Sequence, residues 1–462
     1  MTPGMSQVDN DIIGIGIDRW IRSSGLFGLR PLKYTTSQQK VKGKPLSVID
    51  LDKQPYEYTP QMHFEYQCSW AQGMIERAQM TYVESIECKR DYTTHGKFVP
   101  LYLNEQDLPY SERTSSVCLL SADQYKTEDL AKIFERQSIV IRQREPSNAE
   151  FNRAELETMT LLDKHIRIHD LSTPRSLMEP NIHLVRGTAQ DVLDAHNAGP
   201  TDGKILKCLD LGLPMIGAVH HDLSTDTHAT SVTGGYWTTD CKQLCALERF
   251  KGGLICSNDA YDYWQVDVNG MASRVLVRCG VKLWFLARPK PGCDFASTDF
   301  FLNTDISGTS SDEWDVEVVV LRAGDEIPYS SYMRPNTPHA VITPESAICQ
   351  RVYFICYTTI RETSYGLFDS VTRNHTLTGM EEFNDTLFLI RRTVMYWAHI
   401  IPGNPAPQHS PDIKTMKGIL DVFTACILVE IGNVLHSGFW NNSLKDSERV
   451  EIIEGRRLSR CL

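Results

Sequence analysis

Trp264-Gln265-Val266-Asp267-Val268-Asn269-Gly270 decides how this chain is read. Apolar residues alternate with polar ones and Asn-Gly ends the run, the pattern of a strand closing in a tight turn. Side chains at i and i+2 of a strand leave the same face, so Gln265 and Asp267 point together. Further along, Lys282-Leu283-Trp284 opens a short apolar run, and Arg334-Pro335-Asn336-Thr337-Pro338-His339 brings a histidine out of a proline-bounded turn. Two imidazoles and one carboxylate on one side of a metal make a non-haem Fe(II) site. Such a site commonly takes His-x-Asp from one strand and a distal His from a later one. Asp267 and His339 fit that layout; the first position holds Gln265.

The densest strand signals surround these residues, from Gly253 to Tyr357. Ala272 to Cys279 alternates small or apolar residues with Arg274 and Arg278. Val316 to Leu321 is β-branched and continuous, as in a strand covered on both faces. Gly324-Asp325 marks a turn after it, and Arg351 to Tyr357 reads as a further strand. Short strands at this spacing predict an α+β chain around a double-stranded β-helix, the jelly roll of the cupin type.

Helices flank that core. Ser121 to Phe134 has a helical rhythm with a serine placed to cap it, and Ser138 to Arg142 reads as a strand. Thr188 to Ala195 predicts a helix capped by Thr188. Met380 to Ile400 and Met416 to Leu435 are the clearest helices, joined by the proline-rich stretch Pro402 to Pro411. They form a C-terminal segment that packs on the roll or joins two copies as a homodimer. The expected divisions are an irregular region over 1–120, the β-roll domain over 121–378 and the helical region over 379–462. Within the first, 40–60 reads as a surface loop and 72–83 as a short helix.

Composition narrows the function. The 462 residues are 41% hydrophobic, enough for a substantial core. A net charge of -11 argues against broad binding to nucleic acid or anionic membrane. The N-terminal stretch lacks the basic and apolar regions of a secretory signal, so an intracellular location, nucleus or cytoplasm, is expected. Gly418 to Leu435 carries Asp421 and Glu430 and reads as a buried helix, not a membrane span. The 13 cysteines are then expected as reduced thiols. Cys241 and Cys245 have no second matching pair and do not make a zinc site.

From about Ser121 to Asp369, and on to Leu435, the chain resembles the JmjC (Jumonji C) family, above all the JmjC-domain proteins of mushroom-forming fungi. The resemblance rests on Trp264 to Gly270, on Gly280-Val281-Lys282-Leu283-Trp284-Phe285-Leu286-Ala287-Arg288-Pro289, on Leu321-Arg322-Ala323-Gly324-Asp325, and on Met333 to Val341. The Gly418 to Leu435 helix is similar to the family's C-terminal helix. The family is a β-roll of Fe(II)- and 2-oxoglutarate-dependent dioxygenases, hydroxylases or demethylases. The resemblance implies that Asp267 and His339 are metal ligands, with Gln265 in the place of the third. It implies that Lys282 meets the distal carboxylate of 2-oxoglutarate, a role suited to a compact cation on a long stem.

Gln265 departs from that pattern. An amide oxygen is a poorer donor to Fe(II) than imidazole, and it has no second ring nitrogen by which a neighbour can orient it. Asp262 nearby would also repel 2-oxoglutarate unless it points away. Two readings follow: a pseudoenzyme that keeps the fold as a scaffold or binding module, or an active oxygenase completed by Gln265 or water. A metal-free binder of small metabolites is a third. The substrate, protein or small molecule, is not legible. Of the other clusters, His63-Phe64-Glu65 reads as incidental. His220-His221-Asp222, with His228 nearby, reads as a surface or pocket-edge feature, or as the source of a compensating ligand.

Overall fold

The computed structural model describes residues 117–142, 150–172, 184–202, 204–212, 222–233, 247, 250–289, 314–323, 330–372, 383–402, 408–435 and 446–461. The expectations for 40–60, 72–83, His63, His220, His221, Cys241, Cys245 and the Gly324-Asp325 turn lie outside these residues. The chain divides into two units. One takes in Met1–Lys53 and Pro289–Trp314; the other, Gln54–Arg288 and Asp315–Leu462, contains nearly every described residue.

The second unit is a mixed α+β fold with one large, mostly antiparallel sheet and C-terminal helices. Its eleven strands are β1 (Val117–Ser121), β2 (Ser138–Arg142), β3 (His165–Asp170), β4 (Leu184–Thr188), β5 (Leu206–Leu211), β6 (Lys251–Cys256), β7 (Ala260–Gln265), β8 (Ala272–Pro289), β9 (Trp314–Arg322), β10 (Ser330–Met333) and β11 (His339–Phe354). They run in the order β1-β2-β10-β8-β11-β6-β5-β3-β4, with β7 on β11 and β9 on β8. Only the β1–β2 register is parallel among those described. β1 and β4 end the path, so this pairing does not close the sheet into a roll.

Two strands are longer than the sequence suggests. Ala272 to Cys279 and Lys282 to Ala287 read as separate runs but form one strand, β8, and β11 runs back along its whole length. The register slips at mid-length, between Ile342 and Cys349, where Gly280 adopts φ 79°. The far half of β8 pairs with the near half of β11, which carries β7 on its other edge. The remaining halves carry β10 and β6. Trp284, Leu286 and Val341 from one half and Val275, Val277 and Cys349 from the other belong to a single buried apolar cluster. Packing of this kind, not local propensity, decides where such strands bend.

Two short helices pack against β1 and β2. Ser121 caps α1 (Ala122–Thr127) in a reciprocal box with Gln124, and Asp129 caps α2 (Leu130–Phe134). The single helix read over Ser121 to Phe134 is thus two, because Asp129 offers a second cap. After α3 (Arg153–Glu157), α4 (Ala189–Asp202) opens where Thr188 suggests, with Thr188 and Asp191 bonding each other's backbone N–H. α5 (Thr225–Thr233) and α6 (Ile360–Thr372) precede the C-terminal helices α7 (Phe383–Ile400), α8 (Met416–Leu435) and α9 (Asp446–Ser459). α7 packs against α5, α8 and α9. No described helix is long and apolar enough to cross a membrane. α8 leaves Met416, Ile419 and Phe423 exposed.

Asp226, in the first turn of α5, is fully buried. Its Oδ1 accepts from Ser224 Oγ at 2.7 Å, and its Oδ2 has no partner. Burial, outweighing these hydrogen bonds, pushes its carboxyl up from 3.8 to about 6. A group raised in this way folds more easily protonated. The cost of its charge is absent below its unfolded pKa, grows as pH rises towards the folded one, and is complete above it. That cost is about 3 kcal/mol at neutral pH. Asp226→Asn is therefore expected to raise the melting temperature near pH 7.5 and to leave it unchanged near about pH 3.5. Equal shifts at both pH values would refute this assignment.

Candidate functional site

His339 opens β11 between two neighbours, paired with Gln265 of β7 on one side and Leu286 of β8 on the other. Its Nδ1 lies 3.0 Å from the Thr337 carbonyl, which can only accept, so the ring proton sits there. Nε2 is left as the acceptor. Gln265 Nε2 stands 3.4 Å from it and donates, a bond at the long end of the range. The Trp284 ring stacks on the imidazole at 5.4 Å between centroids and 11° between planes. The histidine is buried and fixed in both tautomer and orientation.

Asp267 lies just beyond β7 and is buried, with Oδ2 unpartnered. Asn269 and Gly270 follow at φ 51° and 65°, both left-handed, as the Asn-Gly signal requires. α6 clamps this turn. A Cβ on Gly270 would stand 2.6 Å from the Thr363 carbonyl. The same helix holds the second motif: Asn336 Nδ2 donates to the Glu362 carbonyl, and Arg334 pairs with the Glu362 carboxylate at 2.9 Å. Asn269 Nδ2 also donates to Thr386 Oγ1 of α7 at 3.2 Å. The two segments that carry the candidate residues therefore share one support.

Lys282 is buried on β8, on the same face as Trp284. Its Nζ donates to Thr343 Oγ1 and to Cys256 Sγ, each at 3.2 Å. Burial alone would lower the ammonium's pKa. The thiols of Cys256 and Cys349 and the Asp262 carboxylate outweigh burial and hold it above the usual lysine range. Asp262 is not the repelling charge that its position suggests. Lys207 of β5 forms an ion pair with it, and donates to the Tyr261 carbonyl at 2.7 Å. Burial would raise the Asp262 carboxyl, but Lys207 and Lys282 hold it below the usual range. Around Lys282 thus lie the Lys207–Asp262 ion pair, the Thr343 hydroxyl and the Cys256 thiol.

The three positions predicted as ligands hold one imidazole fewer than an Fe(II) triad. One imidazole and one carboxylate are present, and the amide in the third place donates to the nitrogen that would face the metal. Among the described residues no group of three or more His, Cys, Asp and Glu side chains could hold a metal. Of the other cluster, Asp222 and His228 are among the described residues. Asp222 is exposed, and His228 stacks on His409 at 4.6 Å, with its Nε2 3.1 Å from Tyr396 Oη.

The chain matches no model of a known protein family and no curated protein. Thr343 was legible in principle: it shares the period of two that runs through His339 and Val341. Lys207 and Cys256 were not, because the β5–β6 pairing that aligns them joins segments distant in sequence.

Proposed function

We propose that the chain is a JmjC-type β-roll that has lost its iron and acts as a binding module, a pseudo-oxygenase. One observation carries this reading: the Gln265 amide sits across the strand pair from His339 and donates to its Nε2. The tryptophan stack and the Thr337 bond preserve the posture of a ligand histidine, while the second imidazole is gone. The long antiparallel pair β8–β11, with one apolar cluster drawn from both its halves, supports the jelly-roll reading of the sheet. Lys282 remains as a buried cation suited to a carboxylate-bearing small molecule of the 2-oxoglutarate kind. The partner is then a metabolite or protein of the cell interior, bound without turnover.

Anaerobic titration of Fe(II) into the purified chain tests this directly. We expect no tight binding, no 2-oxoglutarate consumption, and no difference between wild type and His339→Ala. Tight binding that His339→Ala abolishes would overturn the proposal. The orphaned Asp267 Oδ2 favours that second reading, an oxygenase whose cation is held by Asp267 and His339 with Gln265 or water.

A further inference from the structure

Lys282 Nζ and Cys256 Sγ face each other at 3.2 Å, both buried, on strands 26 residues apart in sequence. The lysine's other partner is the neutral Thr343 hydroxyl. The nearby carboxylate, Asp262, is hydrogen-bonded to Lys207. Among the partners in hydrogen-bond contact with Lys282, the Cys256 sulfur is therefore the one that an oxidant can convert to an electrophile. An ammonium beside a thiol favours the thiolate, and the thiolate is the form that oxidants attack. Two further thiols, Cys349 and Cys279, are each pushed up to about 12 by burial.

We propose that Cys256 and Lys282 form a reversible redox crosslink, a sulfenamide made on exposure to a hydroperoxide. In the first step the Cys256 thiolate sulfur attacks one peroxide oxygen and the O–O bond breaks. The sulfur is oxidised by two electrons to a sulfenic acid, and the peroxide is reduced. The hydroxide released takes a proton from the Lys282 ammonium and leaves as water. That transfer leaves a free amine beside an electrophilic sulfur. In the second step Nζ attacks Sγ, an S–N bond forms and the S–O bond breaks. The departing hydroxide leaves as a second water with a proton from the amine. The net change is thiol plus amine plus hydrogen peroxide to sulfenamide plus two waters. Sulfenic acids condense with backbone nitrogen in this manner, and here the side-chain nitrogen is already in place.

The link consumes the cation of the candidate carboxylate site, so oxidation would switch that site off. The chemistry itself does not depend on the reading of that site. The test treats the full-length wild-type chain with hydrogen peroxide, unfolds it with an alkylating agent present, and maps tryptic peptides by mass spectrometry. We expect a linked species lighter by two hydrogens, loss of cleavage after Lys282, and loss of Cys256 alkylation. Cys349 and Cys279 should remain alkylatable, and a dithiol should restore both Cys256 and the cleavage. Cys256→Ser should abolish the link. Cys256 that stays alkylatable at peroxide levels that oxidise the exposed Cys461 would overturn the proposal, as would its passage to sulfinic acid with Lys282 still cleaved. Because the decisive readout is made on wild type, a variant that fails to fold does not affect it.

Discussion

Gln265→His is expected to tighten Fe(II) binding at least about tenfold to hundredfold over wild type, since losing a mere outer-shell partner of a metal ligand costs that much. The substitution acts in two ways. It removes the amide N–H that now occupies His339 Nε2, and it sets a second imidazole opposite the first across the β7–β11 pair. His339 needs no rearrangement, because Thr337 already holds its proton on Nδ1 and Trp284 holds its plane. Asp267 brings a buried carboxylate oxygen without a partner, a group that gains most from a cation. Gln265→Ala separates the two effects: it frees His339 but adds no ligand, and should bind iron no better than wild type. The double variant Gln265→His with His339→Ala should lose the gain. If Gln265→His binds no more tightly than wild type, Gln265 does not stand in a former ligand position, and the lost-iron reading falls with it. Turnover of 2-oxoglutarate is a separate outcome.

How much of this was legible in the sequence follows from the range of each interaction. The C-terminal helices α7 and α8 lie where Met380 to Ile400 and Met416 to Leu435 place them, since a helix writes its period locally. The Asn269-Gly270 turn is equally local, and both residues take the positive φ that the pair favours. The two-residue period on β8 likewise puts Lys282 and Trp284 on one face. Other features had no local signature. The protonation of Asp262 depends on Lys207, 55 residues earlier, and the support of both motifs depends on α6. The full extent of β8 is hidden because Gly280 looks like a break. In the structure it is a bend inside one strand.

That bend carries the second large effect. Gly280→Ala is expected to destabilise the protein by about 4 kcal/mol, at the upper end of what single substitutions cost. Gly280 sits at φ 79°, where an L side chain is strained, and a Cβ there would stand 2.1 Å from the Ser346 carbonyl and 2.7 Å from Ala347 Cα. Both are backbone atoms of the partner strand, so no rotamer change relieves the clash. The ladder itself would have to open at the point where β8 and β11 change register. Gly199 offers an internal control: it has nearly the same φ, 77°, but a Cβ there would meet nothing within 4 Å. Gly199→Ala should therefore cost only the backbone strain of its φ 77°, ψ 176° conformation, on the order of 1–3 kcal/mol. Denaturant midpoints at unchanged slope would measure both. A much larger loss at Gly280 than at Gly199 assigns the cost to the close approach of the two strands. Equal losses would mean that the bend is loose and that Lys282, two residues further on, is not held in register by it. The proposed carboxylate site needs that register, because Lys282 meets Thr343 across the ladder only when the far half of β8 keeps its pairing.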